Sequence, residues 1–240
     1  MSFFTRAIPR LMPLVFTTAL VVAVPVSAQA SVTNPTSKSV LRAAASELLK
    51  QSGVHLKVFS LNGTSSNTVV VDIGTGSGME TITSGTKKVV IIVTPTDAYL
   101  SGSATGLTAI MGLTAAQQKK VGTLSIVMKA GTSPYENFKK NLTISVLSAI
   151  LPVGKETTFR VSSDKKKDYQ LTWKTNATVS AAATKSVLLI SSGSKTLPVK
   201  ETISGSAGGG TTTFSKWGEH VTETAPAALA TIPYAKVVTG

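Results

Sequence analysis

The sequence contains no cysteine. That absence excludes disulfide staples, thiolate catalysis, cysteine-ligated zinc and a cysteine-linked lipid anchor. Histidine occurs only as His55 and His220, so a multi-histidine metal site is excluded too, and no metal or other cofactor is expected. Aromatic residues make up 5% of the chain and charged residues 15%. Beyond residue 30, arginine survives only as Arg42 and Arg160, and no aromatic stacking motif accompanies the lysines, so nucleic acid is not an expected partner. Catalytic signatures are missing as well. There is no Gly-x-Ser-x-Gly elbow, no His-Glu-x-x-His helix and no Walker-type loop. Gly74-Thr75-Gly76-Ser77-Gly78 fails the dinucleotide fingerprint because Met79 stands at the third glycine position, and its setting between strands reads as a turn. The acids number 11 and are spread thinly, which argues against a paired-carboxylate hydrolase. The chain therefore reads as non-catalytic.

What is present begins at the N-terminus. Arg6 and Arg10 precede an apolar run from Leu11 to Val26, followed by Ser27-Ala28-Gln29-Ala30. This order of basic, apolar and small residues is that of a secretory signal peptide over residues 1–30, with cleavage expected near Ala30. The apolar run is short for a membrane span of about 20 residues. No later segment is long and apolar enough to cross, so a secreted or soluble envelope protein is expected. A chain of 240 residues that loses the first 30 keeps 210, enough for one large domain. The net charge of +13 becomes +11 when Arg6 and Arg10 leave. The excess comes mainly from scattered lysines, with one tight run at Lys165-Lys166-Lys167. Such a balance suits a solubilising surface or contact with anionic envelope surfaces. Asn62-Gly63-Thr64, Asn141-Leu142-Thr143 and Asn176-Ala177-Thr178 have the form of glycosylation sequons, meaningful only in a eukaryotic secretory route.

The remainder divides into a polar lead-in (31–36), a domain over 37–226 and a C-terminal tail (227–240). Ser37 to Ser52 reads as an amphipathic helix with Leu41, Ala44, Ala45, Leu48 and Leu49 on one face and Gly53 as its stop. From Val54 the period becomes two. Strands are expected over Val54–Phe59, with Leu56 and Val58 inward, then Thr68–Ile73, Met79–Thr83, Lys88–Thr94 and Ala98–Ser101, as an antiparallel meander. Ser103 to Leu151 is helical in character apart from a strand near Leu124–Met128. Pro134 opens a helix that carries Tyr135 and Phe138. Strands return over Thr157–Ser163, Tyr169–Thr175, Ser186–Ser191, Leu197–Ser204 and Thr211–Trp217, with Gly208-Gly209-Gly210 read as a hairpin tip. His55 is expected on an exposed strand face. The class is α+β, a continuous antiparallel sheet with helices on one face.

Phe214-Ser215-Lys216-Trp217-Gly218-Glu219-His220-Val221-Thr222, running to Pro226, resembles the last strand and tail of the actinobacterial LppX/LprG envelope lipoprotein family. Leu197-Pro198-Val199-Lys200 is similar to the preceding strand of that family, and Ala98-Tyr99-Leu100-Ser101-Gly102 to a strand leading into its helices. The resemblance implies a strongly curved sheet, a half β-barrel of the LolA/LolB type, with helices and an apolar cavity on its concave side. It also implies an acylated lipid or glycolipid as partner, for transport or sensing in the envelope. The chain departs from the family by lacking the lipobox cysteine, which implies release in place of tethering. It also lacks a tryptophan at Gly122-Thr123-Leu124.

Val89–Val93 and Val187–Ile190 are apolar on both strand faces. In an antiparallel sheet the outer face usually meets water, so such strands need a second cover from helices, a partner or a ligand tail. Val69, Val71, Ile73, Val90 and Ile92 are the expected cavity wall on the sheet, with Leu107, Ile110 and Met111 as the helical wall. The alternative is a cell-wall or protein-partner binding module on the same scaffold, with no open cavity.

Overall fold

The computed structural model describes residues 35–62, 65–153, 158–161, 168–175, 184–205 and 208–239. The expected signal peptide, the Lys165-Lys166-Lys167 run and the Asn176 sequon lie outside these residues. The described elements in chain order are α1 (Ser37–Leu48), β1 (Gly53–Asn62), β2 (Ser65–Gly74), β3 (Gly78–Ser84), β4 (Lys87–Val93), β5 (Asp97–Gly102), α2 (Ala104–Met111), α3 (Ala115–Val121), β6 (Ser125–Lys129) and α4 (Ser133–Asn141). Then come a 3-10 helix (Ile144–Ile150), β7 (Thr158–Val161), β8 (Tyr169–Thr175), β9 (Thr184–Ile190), β10 (Pro198–Gly205), β11 (Gly208–Ser215), a short 3-10 turn (Ala228–Ala230), β12 (Thr231–Pro233) and α5 (Tyr234–Val238).

All the described strands join one 12-stranded sheet in the order β12-β6-β5-β4-β3-β2-β1-β11-β10-β9-β8-β7. Every pairing between these strands is antiparallel except β12 with β6. The sheet is open and curled, an α+β half-barrel, as the family resemblance implies. The first and last halves meet at β1 and β11, where Leu56 faces Phe214 and Val58 faces Thr212.

Helices pack on the concave side because each offers apolar residues at helical spacing. Val40, Leu41 and Ala44 of α1 join Leu171, Trp173, Leu188 and Ile190 of the sheet. Leu48 joins Val54, Leu56, Ile73 and Phe214, together with Ile144 and Leu147 of the 3-10 helix. A third cluster gathers Val89, Ile91, Val93, Leu100, Ile126 and Met128 beneath Leu107, Tyr135 and Phe138. The Tyr135 hydroxyl is buried but satisfied, donating to the carbonyls of Thr94 (3.0 Å) and Pro95 (2.8 Å). Removing such a partner would leave a buried group unpaired, which is why the ring and its acceptors form a unit.

Three local expectations change. The first helix ends at Leu48, four residues early, because the N–H groups of Lys50 and Gln51 tighten onto Glu47 and Leu48, and Gly53 is drawn into pairing with Gly74. Gly208-Gly209-Gly210 is not the hairpin tip but the start of β11, where a Cβ on Gly210 would stand 2.8 Å from the Phe59 carbonyl oxygen. The segment read as a C-terminal tail continues the fold. Thr231–Pro233 pairs in parallel with Ser125–Val127, and Val237 is fully buried in the third cluster. Three residues of strand and a single turn of helix are too short to show a period, so sequence alternation could not mark them.

Candidate functional site

The register sorts the concave face into cross-strand rows. One row runs Val54, Ile73, Gly78, Val93, Ala98 and Met128 across β1 to β6. It is sealed: Val54, Ile73, Val93, Ala98 and Met128 are all buried beneath the helices. The next row runs Phe214, Leu56, Val71, Glu80, Ile91 and Leu100. The third runs Glu201, Thr212, Val58, Val69, Ile82 and Val89. The cover thins from the second row, where Val71 and Glu80 are half-buried, to the third, where Val58, Val69, Ile82, Thr212 and Glu201 are half-buried and only Val89 stays buried under α2. The fourth row, Ile203, Gly210, Ser60, Asn67 and Ser84, is mostly small and polar. The concave surface thus grades from a closed core, through a half-open apolar band, to a polar rim.

Helix α2 bounds this band at β4. Gly106 allows the close approach, because a Cβ there would stand 2.7 Å from Val89 Cγ2 and 2.9 Å from the Lys88 carbonyl oxygen. Val71, Ile82, Ile110 and Met111 all pack, partly buried, against the cluster that holds Val89 and Leu107. The sequence-expected residues therefore divide. Val71, Ile110 and Met111 each pack against the cluster that holds Leu107, Val71 from the second row; Val69 lies within the band, and Ile73 is buried in the sealed row.

Val90 and Ile92 do not join them. Val89, Ile91 and Val93 take the concave positions, so Val90 and Ile92 face the convex side, where Ile92 pairs with Met79 and Tyr99. The cause is the two-faced composition of β4. With both faces apolar, alternation cannot fix the register, and a shift of one residue exchanges the faces.

Glu80 is the chemical exception on the concave face. Its cross-strand neighbours are Val71 and Ile91, and Ile82 follows on the same side. Burial among these side chains pushes its carboxyl up from 4.5 to about 7. Glu201 is the other concave glutamate, at the β10 end of the band. Both were missed by sequence reasoning. The available signal was Gly78-Met79-Glu80-Thr81-Ile82, in which Glu80 and Ile82 share parity. His55 lies on the convex face and is half-buried, not free, with Nδ1 2.7 Å from Asp72 Oδ1. Glu223 of the closing segment also approaches Asp72, and its carboxyl is raised by burial first and by that like charge second. Among the described residues no group of three or more His, Asp or Glu is placed to hold a metal. No described helix is long and apolar enough to cross a membrane.

No family model and no curated protein matches this chain. Solved structures do. The crystal structure of LprF from Mycobacterium bovis aligns with a TM-score of 0.52 at 14% identity, covering 80% of this chain and 97% of that one. The Mycobacterium tuberculosis lipoprotein LppX aligns with a TM-score of 0.48 at 14% identity, covering 79% and 99%. The likeness is one of fold.

Proposed function

We propose that the protein binds an acylated lipid or glycolipid along the half-open concave band, without catalysing a reaction on it. The observation that carries this reading is the row Val58, Val69 and Ile82, apolar, contiguous across β1 to β3 and only half-buried, beside the buried core of the first row. Each methylene of an acyl chain laid on such a surface gains about 0.8 kcal/mol when fully covered. Glu80 supplies a polar contact at the inner edge of the band. Protonated, it donates a hydrogen bond to an ester carbonyl; ionised, it accepts one from a hydroxyl. Transport or sensing in a cell envelope, after export and removal of residues 1–30, is the setting that fits this chemistry.

Binding of a fluorescent acyl-chain probe tests the reading. Ile82→Trp fills the band from a position that is not sealed, so it should abolish probe binding while the melting temperature stays close to wild type. Overpacking a closed core would instead cost about 1–3 kcal/mol. Unchanged probe affinity in a folded Ile82→Trp protein would refute the assignment.

A further inference from the structure

On the opposite side of the sheet, the strands β1, β11, β10, β9, β8 and β7 present a surface of different character. One row reads Lys57, Thr213, Lys200, Leu189, Gln170 and Arg160. Another reads Leu61, Gly209, Ser204, Lys185 and Lys174. All of these lysines and Arg160 are exposed. No described acid of these six strands points to this side, because their one glutamate, Glu201, faces the concavity. Beyond these strands, Asp72 on β2 sits against His55 with Glu223 approaching it, and Glu219 pairs with Lys216 just past the end of β11.

Two features go beyond a solubilising surface. Lys185 and Lys174 stand directly opposite each other across β9 and β8. Like charges so placed destabilise a sheet, so the fold itself gains nothing from this pairing. The same face also carries Phe59 and Leu61, 41% and 45% exposed. Their β11 neighbours are Thr211 and Gly209, too small to cover them.

We propose that this convex face docks on a bilayer containing anionic lipid, with the cations at the headgroups and Phe59 and Leu61 reaching into the interface. Charge complementarity selects an anionic partner. The exposed Phe59 and Leu61 select a bilayer over a soluble polyanion, which offers nothing apolar to cover them. The proposal stands apart from lipid binding on the concave side, since the two faces share no side chain.

Co-sedimentation of the protein, in the form that accumulates in its native host, tests this. The vesicles are pure phosphatidylcholine, or phosphatidylcholine mixed with phosphatidylglycerol. Binding is expected to the mixed vesicles, and to weaken with added salt. Each lysine near an anionic surface contributes about fivefold in affinity, so K174Q/K185Q should bind roughly 25-fold more weakly. F59S/L61S should also lose vesicle affinity yet retain binding to heparin. K174Q/K185Q removes a like-charge pair and should melt at or above the wild-type temperature; F59S/L61S gives up the covered part of two apolar side chains and should melt somewhat lower but cooperatively, its retained heparin binding controlling for folding. Any apolar contact from elsewhere in the chain is common to wild type and variants. Equal binding to both vesicle types, or F59S/L61S binding mixed vesicles as well as wild type, would overturn the proposal. The second result would make the face a site for a soluble polyanion.

Discussion

Replacing Glu80 by glutamine should make the protein more stable, and more so as the pH rises. Folding lifts this carboxyl from 4.5 to about 7, so the folded state holds the proton more tightly than the unfolded chain. The stability associated with that proton is fully present below the unfolded value and is lost as the pH climbs through the folded one. The span between the two values, converted at 1.36 kcal/mol per unit, corresponds to about 3 kcal/mol. Roughly 1.4 kcal/mol is already lost at about pH 5.5, and about 2 kcal/mol more disappears by about pH 8. The amide of Glu80→Gln is neutral throughout. Urea unfolding of wild type and variant, stripped of lipid by solvent, should therefore show a stability gap that widens by about 2 kcal/mol between those two pH values. Other titrating groups act alike in both proteins and cancel. A gap that does not change with pH would mean that the carboxyl is hydrated in the folded protein and that the concave face is wetter than the register implies.

The register of β4 can be checked by truncation. Ile91→Ala, at a position 2% exposed, should cost about 2–5 kcal/mol, while Ile92→Ala on the convex side should cost far less; equal losses would contradict the assignment. At the other edge, removal of residues 231–240 uncovers β6 and takes away the fully buried Val237. Amide exchange of Ser125–Lys129 should accelerate in the shortened protein, and unchanged protection there would show that β12 and α5 do not hold this edge.

Much of the architecture was legible in the chain because most strands keep a clean period of two and their turns carry glycine. Leu56 and Val58 alternate with His55 and Lys57, so β1 declares its inner face. Tyr135 and Phe138 sit one helical turn apart beyond Pro134, and both are buried as that spacing requires. The candidate site was legible only in part. Val69 and Val71 follow from alternation, but Lys88-Val89-Val90-Ile91-Ile92-Val93 has no polar face to set its register, and the neighbours that settle it are Gly78, Glu80 and Ile82 of β3. Glu80 escaped attention because a glutamate in a Thr-rich strand looks solvent-facing until its partners Val71 and Ile91 are known. The closing strand is parallel and pairs with a segment about 100 residues earlier, an arrangement that carries no local signal.

Mass spectrometry of a solvent extract, made from protein purified from its native host, addresses lipid binding most directly. The account predicts an acyl lipid recovered in near-stoichiometric amount from the wild-type protein and absent from Ile82→Trp prepared in the same way. A wild-type extract free of lipid, or lipid recovered equally from both proteins, would contradict it.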